Sequence, residues 1–203
     1  MCGIFCARTV DEYYKLLTLN LERGSSSFGA LAISHNGIAV YKTNDLENLP
    51  TFKGVNLLLG HLRAPTGDSR EFSLTNSHPF EYGEWLVAHN GIITNFKELN
   101  TMGFKVDSNI IPYLLHTEGF KAFEKLQGTW ACWMYNTREK QLYVTRSNAT
   151  LFVNLTTGDF SSKKPDNSAF YQIQQEKIFK IHMDSKYVEP ILDYQAKPLY
   201  FKV

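Results

Sequence analysis

Met1-Cys2-Gly3-Ile4-Phe5 is the stretch around which this chain is organised, because it can place a thiol and a free amine on one residue. If the initiator Met1 is removed, Cys2 becomes the first residue and its α-amino group can act as the base for its own side chain. The pKa values of an α-amine and a thiol, about 8 and about 8.5, are close enough for proton exchange between them. Taken alone, however, the pentapeptide favours an ordinary buried strand, since a free cysteine packs as a small hydrophobic residue.

The composition is that of a globular protein with one domain, or at most two small ones. The chain has 203 residues, of which 43% are hydrophobic and 14% aromatic, and this excludes a disordered protein. A formal net charge of +1 with scattered Lys and Arg gives no reason to expect a nucleic-acid partner. No apolar run approaches the ~20 residues of a membrane-spanning helix, so no membrane partner is expected.

The three cysteines have no paired spacing, so the sequence suggests neither a disulfide framework nor a zinc site. We expect Cys6 and Cys132 to be core residues. We also expect a cytoplasmic protein, in the host cytoplasm if the gene is viral.

Hydrophobic periodicity predicts strand pairs separated by helices. Apolar residues at helical spacing predict helices over residues 10–23 and 108–126. Asn36-Gly37 predicts a hairpin over residues 28–43, since both residues tolerate positive φ, and a second hairpin is predicted over 129–146. Antiparallel strand groups with segregated helices indicate an α+β fold.

Eight short motifs occur in one order along the chain. They are Met1-Cys2-Gly3-Ile4-Phe5, Arg23-Gly24 followed by Gly29, Gly60-His61-Leu62-Arg63 followed by Thr66, Ser77-His78-Pro79-Phe80, His89-Asn90-Gly91-Ile92-Ile93-Thr94-Asn95, Asp107-Ser108, Leu126-Gln127-Gly128 and Asp159-Phe160-Ser161-Ser162. Together they resemble the class II glutamine amidotransferase domain, a member of the N-terminal nucleophile hydrolases. The resemblance implies a four-layer αββα sandwich of two mostly antiparallel sheets. We expect this glutaminase domain to occupy residues 1–182, with residues 183–203 as a C-terminal extension packed on it.

The resemblance also implies a catalytic role for three residues. As a thiolate, Cys2 would attack the side-chain amide carbon of L-glutamine to form a thioester, while its α-amine carries the proton to the departing ammonia. The side-chain amide of Asn90 and the backbone N–H of Gly91 would form the oxyanion hole. The expected products are glutamate and ammonia, and no metal or organic cofactor is required.

Four further residues match substrate-binding or supporting positions of the family. Arg63 would bind the α-carboxylate of glutamine and Asp107 its α-ammonium group, since opposite charges pair. Thr66 would add a contact from the loop that follows Arg63, and Arg23 would support the strand of Cys2. Relatives commonly fuse this domain to the synthase or transferase that consumes the ammonia. Here either a separate synthase or transferase accepts it, or the chain acts alone as a glutaminase.

Each of these residues has an alternative interpretation when taken singly. Arg63 could belong to a surface salt bridge, Asp107 could be a helix cap, and Asn90-Gly91 could be a hairpin turn. His61, His78 and His89 are candidates for a Cys–His dyad or a metal site, but the resemblance gives them structural positions. Only the joint order of the motifs favours catalysis.

Two departures from the family pattern leave other functions open. Ser26 stands where the family has an aspartate, and Ala64 where relatives often have an aromatic residue, so a less closed pocket is expected. The chain could instead hydrolyse another amide, such as a γ-glutamyl conjugate. It could also be a catalytically degenerate domain that binds glutamine or a protein partner.

Overall fold

The computed structural model describes residues 2–64, 72–166 and 169–199. Within these ranges, thirteen strands form two sheets, accompanied by three α-helices. The strands are β1 Gly3–Ala7, β2 Ser27–Ser34, β3 Gly37–Thr43, β4 Leu57–Arg63, β5 Phe80–Tyr82, β6 Trp85–Ile93, β7 Gly128–Asn136, β8 Gln141–Ser147, β9 Phe152–Asn154, β10 Phe160–Ser161, β11 Phe170–Gln172, β12 Lys177–Ile181 and β13 Val188–Asp193. The helices are α1 Val10–Asn20, α2 Phe96–Leu99 and α3 Ile110–Glu118, with 3₁₀ turns at Leu21–Arg23, Asp107–Asn109 and Gly119–Glu124.

The strand order places the N-terminal strand in the middle of a sheet. Among the described residues, the seven-stranded sheet has the order β11-β9-β10-β1-β4-β2-β3, and the six-stranded sheet has the order β13-β12-β8-β7-β6-β5. Strand β1 pairs antiparallel with β4 on one side and with β10 on the other. Cys2, which immediately precedes β1, is therefore held by hydrogen-bonded strands on both sides.

Strand alternation divides the core into three layers. In β1, Ile4 and Cys6 face the core between the two sheets, whereas Phe5 and Ala7 pack against α1 on the outside. The outer face of the second sheet packs against α3 in a third cluster, to which Cys132 belongs. The three hydrophobic clusters thus lie between four layers, namely α1, the seven-stranded sheet, the six-stranded sheet and α3. This confirms the predicted αββα sandwich. Cys6 and Cys132 are fully buried, as predicted.

Helix α1 forms where the periodicity predicts it. Thr9 caps its N-terminus by accepting a hydrogen bond from the backbone N–H of Glu12 at 3.3 Å. Tyr13, Leu16 and Leu17 are buried against the seven-stranded sheet.

No helix in the described part of the chain is long and apolar enough to cross a membrane.

Two strands run further than their apolar segments suggest. Strand β4 begins in the apolar run at residues 55–59 but continues through Gly60 to Arg63. It continues because β1 and β2 pair with it along both edges. Glycine at position 60 leaves room for the ring of Phe5, which would lie only 2.4 Å from a Cβ there. Likewise, Asn90-Gly91 lies inside β6 and is not a hairpin turn.

The segment after residue 182 contributes a strand to the six-stranded sheet. Strand β13 pairs antiparallel with β12, so the boundary expected at residue 182 falls between two hydrogen-bonded strands. The hydroxyl of Tyr194 accepts a hydrogen bond from Trp130 Nε1 at 3.0 Å and lies 2.7 Å from Thr145 Oγ1. These contacts anchor the described residues of the C-terminal segment to the core.

Candidate active site

A cavity of about 220 Å³ lies beside Cys2, between the ends of the two sheets. Its described lining consists of Cys2, Arg63, Ala64, His78, His89, Asn90, Gly91, Ile92, Lys105, Val106, Asp107, Ser108 and Thr129. Of the seven residues to which the resemblance assigns a role, five line the cavity: Cys2, Arg63, Asn90, Gly91 and Asp107. Of the remaining two, Thr66 lies outside the described residues, and Arg23 is not among the described lining residues.

A larger cleft of about 820 Å³ opens elsewhere on the protein, next to the β2–β3 hairpin. Its described lining includes Ser34, Glu139 and Asp184 but none of the residues singled out above. Size alone therefore does not identify the site. The smaller cavity is the candidate because it combines a thiol, a charge pair and hydrogen-bond donors.

The thiol of Cys2 is partly exposed and contacts the end of β4. Its Sγ accepts a hydrogen bond from the Ala64 N–H at 3.4 Å and lies 3.6 Å from the Ala64 carbonyl oxygen. Burial raises the pKa of the Cys2 thiol, and the hydrogen bond from Ala64 only partly offsets this effect. The thiol form therefore predominates at neutral pH, and a nearby base is needed to generate the nucleophile.

The Arg23–Ser26 segment packs on the same end of β4. A Cβ on Gly24 would lie 2.5 Å from the carbonyl carbon of Arg63, so only glycine allows this close approach. The backbone N–H of Ser26 donates to the Arg63 carbonyl oxygen at 3.0 Å. Arg23 donates through Nη2 to Thr150 Oγ1 at 2.9 Å. These contacts support the strand end that holds Cys2.

Strand β6 supplies Asn90 and Gly91 from the other sheet. Asn90 is buried, and its Nδ2 lies 3.4 Å from Ser162 Oγ. Gly91 has a φ of +150°, and a Cβ there would lie 1.9 Å from the carbonyl oxygen of Thr129. Both the backbone conformation and the close approach therefore require glycine at this position.

A buried arginine and an oriented carboxylate share the cavity. Arg63 donates through Nη1 to Asn76 Oδ1 at 3.2 Å. Asp107 accepts hydrogen bonds from the backbone N–H of Ile93 at 2.8 Å and from that of Ser108 at 2.9 Å. The carboxylate thus links β6 to the turn before α3 and is more than a helix cap. Opposite charges in one cavity suit a ligand that carries both charges.

The three histidines are buried close to the cavity. The rings of His61 and His78 have centroids 3.8 Å apart, and burial lowers the pKa of His61 to about 3 and that of His78 well below its usual value. His89 Nδ1 lies 2.8 Å from Ser108 Oγ, and its Nε2 lies 3.2 Å from the Thr129 carbonyl oxygen. Burial also lowers the pKa of His89. The three rings are therefore neutral at neutral pH, which suits packing and hydrogen bonding.

Within residues 2–64, 72–166 and 169–199, the histidines form neither a Cys–His dyad with Cys2 nor a metal site. No hydrogen bond in this part of the chain joins an imidazole to Cys2 Sγ. No group of three or more His, Cys, Asp or Glu side chains there is arranged to hold a metal ion.

Sequence reasoning did not single out Asn76, Lys105 or Ser162 as residues of the site. Asn76 contacts Arg63, Lys105 lines the cavity, and Ser162 contacts Asn90. The motifs gave a signal only for Ser162, which lies at the end of the Asp159–Ser162 match. Asn76 directly precedes the Ser77-His78-Pro79-Phe80 motif, but its contact with Arg63 depends on the fold.

Comparison with known proteins shows which proteins this chain is similar to. A sequence model described as a glutamine amidotransferase domain matches residues 74–162. The glutamine–fructose-6-phosphate aminotransferase (isomerizing) of Helicobacter pylori is 33% identical over 183 residues, covering 75% of this chain and 30% of that protein. The corresponding enzyme of Sulfurisphaera tokodaii is 26% identical over 229 residues, covering 93% of this chain and 38% of that protein.

A solved structure shares the fold. The glutamine phosphoribosylpyrophosphate amidotransferase from B. subtilis matches with a TM-score of 0.70 at 18% identity, covering 93% of this chain and 49% of that one. This chain therefore spans about a third of the two curated relatives (30% and 38%) and about half of the solved one. With the motif order, the sandwich and the cavity in agreement, the chain is a class II glutamine amidotransferase domain of the N-terminal nucleophile hydrolase type.

Proposed function

We propose that this domain hydrolyses the side-chain amide of L-glutamine to glutamate and ammonia through a thioester on Cys2. The supporting observation is that Cys2, Asn90, Gly91, Arg63 and Asp107 line one cavity of about 220 Å³. A cavity of this size is smaller than the roughly 300–1,000 Å³ of drug-sized ligand sites and suits a single amino acid.

The reaction begins with transfer of the Cys2 thiol proton to the α-amine of the same residue, once Met1 has been removed. The thiolate attacks the amide carbon, and the developing oxyanion receives hydrogen bonds from the Asn90 amide and the Gly91 N–H. When the tetrahedral intermediate collapses, the C–N bond breaks, and the nitrogen leaves as ammonia with the proton from the α-amine. Water then attacks the thioester, the α-amine takes a proton from that water, and the thiol is restored as glutamate departs.

The charge pair explains selectivity for a free amino acid. The Arg63 guanidinium offers a planar fork to the α-carboxylate of glutamine. The Asp107 carboxylate, held by the backbone N–H groups of Ile93 and Ser108, offers an acceptor to the α-ammonium group. A substrate without this head group would lose both of these contacts.

Changes to the charge pair are expected to weaken glutamine binding more than they slow the chemistry. Arg63→Lys and Asp107→Asn should each raise KM for glutamine roughly 10- to 100-fold, since a hydrogen bond to a charged group contributes about 1.5–3 kcal/mol. Steady-state kinetics with thermal melting of each variant measures the effect. Asp11→Asn, on the exposed surface of α1, is the control that should leave KM unchanged.

Substrate comparison tests the alternative that another amide is hydrolysed. Glutamine should be a far better substrate than N-acetylglutamine, whose blocked amine cannot pair with Asp107. Equal kcat/KM for the two compounds would favour an amidase for conjugates over a glutaminase. Saturable glutamine binding without glutamate release would favour a degenerate binding domain.

The reactivity of Cys2 should increase with pH. Burial raises the pKa of its thiol, so the thiolate fraction grows as the pH rises through neutral values toward that pKa. The rate at which a diazo-ketone analogue of glutamine labels Cys2, followed by mass spectrometry between about pH 6 and 9, should therefore increase. A rate that is flat over this range would indicate a thiol that is already ionised.

The acceptor of the ammonia is proposed to be a separate synthase or transferase, and the location is proposed to be the cytoplasm. The relatives support the idea of an acceptor, because the two curated ones are named as aminotransferases that act with fructose-6-phosphate and are about three times as long as the aligned region. Intact-mass measurement for loss of Met1, followed by an assay of glutamate release, is the first test of the glutaminase itself.

A further inference from the structure

Ser162 contacts both halves of the candidate site. It follows β10 and is fully buried. Its Oγ accepts a hydrogen bond from the Ile4 N–H at 3.1 Å, and its own N–H donates to the Ile4 carbonyl oxygen at 2.9 Å. The same Oγ lies 3.4 Å from Asn90 Nδ2. Since Ile4 lies in β1 and Asn90 in β6, the Ser162 hydroxyl joins the strand of the nucleophile to the strand of the oxyanion donor.

The hydrogen bonds at this junction leave two groups unsatisfied. A serine hydroxyl has one donor hydrogen and two acceptor lone pairs. With Ile4 N–H and the Asn90 NH₂ group both directed at the oxygen, the Ser162 hydrogen has no acceptor among the described residues. The Oδ1 atom of Asn90 is also buried without a partner in this part of the chain. Buried polar groups normally have hydrogen-bond partners, so the Ser162 hydrogen and Asn90 Oδ1 both require an explanation.

One rotation satisfies both groups. A half-turn of the Asn90 carboxamide about its Cβ–Cγ bond exchanges Nδ2 and Oδ1. The Ser162 hydroxyl then donates to Oδ1, while the Ile4 N–H continues to occupy a lone pair of the hydroxyl oxygen. The NH₂ group of Asn90 is released from Ser162 and takes the buried position of Oδ1, which has no partner among the described residues. Asn90 lines the same cavity as Cys2.

We propose that Ser162 is a positioning residue for the glutaminase reaction: its hydroxyl donates to Asn90 Oδ1 and thereby directs the Asn90 NH₂ group at the oxyanion. This inference rests on the proposed function. Two hydrogen bonds in series fix the backbone of Ser162. Thr150 Oγ1 donates to its carbonyl oxygen at 2.8 Å, and Arg23 donates to Thr150 at 2.9 Å. Arg23 thus supports the site through Thr150 and Ser162, without reaching the substrate.

The test compares Ser162→Ala with its neighbour Ser161→Ala. Both serines are fully buried, but the Ser161 hydroxyl binds Asn20 Nδ2 and the Lys163 N–H instead of Asn90. Ser162→Ala should lower kcat for glutamine by about 10- to 100-fold, the cost of a misplaced catalytic group, with KM within about twofold. Ser161→Ala should keep the wild-type kcat.

Two further measurements separate positioning from general damage. Alkylation of Cys2 by iodoacetamide forms no oxyanion, so its rate should be unchanged in Ser162→Ala. Binding of glutamate γ-semialdehyde, which adds to the thiol to form an oxyanion-bearing adduct, should weaken by about the same factor as kcat. In an Asn90→Ala background, adding Ser162→Ala should slow the reaction no further, since the two residues act as one unit.

The outcomes distinguish this inference from the proposed function. A wild-type protein that releases glutamate, together with a Ser162→Ala variant of unchanged kcat, would overturn the positioning role and leave the glutaminase intact. A wild-type protein without Met1 that releases no glutamate would overturn both. If Ser162→Ala fails to fold, Ser162→Cys, with its weak S–H donor, takes its place and should also lower kcat at unchanged KM.

Discussion

Replacing Cys2 by Ala or Ser is expected to lower glutamate release by about 10⁴-fold or more, because the nucleophile and its base act as a unit. Alanine has no nucleophile. Serine keeps the shape of the side chain, but its hydroxyl is a much weaker acid than the thiol, so the α-amine activates it far less well. The measurement is glutamate production by enzyme confirmed by mass to begin at residue 2.

A cysteine in β1, the strand that follows Cys2, is the matched control for this experiment. Cys6 is a fully buried free thiol four positions along the chain, and its side chain faces the core between the sheets. Cys6→Ala should reduce stability by about 1 kcal/mol and leave glutamate release intact. Glutamate release that survives Cys2→Ala and disappears with Cys6→Ala would be incompatible with the proposed nucleophile.

Retention of Met1 should have the same effect as loss of the nucleophile. When the α-nitrogen of Cys2 is part of a peptide bond it is no longer basic, and the raised pKa of the thiol leaves little thiolate at neutral pH. Protein prepared with a methionine aminopeptidase inhibitor, and verified to keep Met1, should therefore release almost no glutamate. Equal activity with and without Met1 would rule out the α-amine as the base.

Asn90→Ala is expected to lower kcat by about 10²–10³-fold, the usual cost of removing one oxyanion-hole donor. KM should change little, because Arg63 and Asp107 bind the other end of the substrate. Kinetics measured at saturating glutamine, with a thermal melt to verify folding, provides the readout.

Asn95 is a matched control on the same segment. It is also a buried asparagine, but its amide donates to the Lys125 carbonyl oxygen at 2.9 Å and accepts from the Gln127 N–H at 2.9 Å. Asn95→Ala should therefore reduce stability and preserve kcat. If the two alanine variants lost kcat to the same extent, the role of Asn90 in the reaction would be refuted.

Much of the fold was predictable because local periodicity controls the long elements. Helix α1 and the β2–β3 and β7–β8 hairpins have uninterrupted patterns, and they form close to where those patterns predict. Short strands gave weaker signals: β5 and β10 span three and two residues, which is too short for a reliable period. Strand β13 was not predicted either, because its pairing with β12 decides its conformation.

The candidate site was predictable as a set of residue types but not as a geometry. Asn90-Gly91 could have been a hairpin turn on local grounds, and its place inside β6 depends on pairing with β7. The cavity is lined from both sheets: Cys2 directly precedes β1 and Arg63 ends β4 in the seven-stranded sheet, and Asn90 and Gly91 come from β6 of the other sheet. Contacts such as Arg63 with Asn76 and Asn90 with Ser162 join residues from separate segments, and sequence spacing does not encode them.

The sequence by itself determined which chemical groups are available: a cysteine next to the initiator methionine, and an ordered set of motifs with an amide, a glycine and two opposite charges. It also determined the α+β class, because strand and helix periods are local properties of the chain. Tertiary structure decided that these groups share one cavity, that the histidines are buried, and that Ser162 contacts Asn90. These features depend on packing two sheets face to face, and packing joins residues that are distant in sequence.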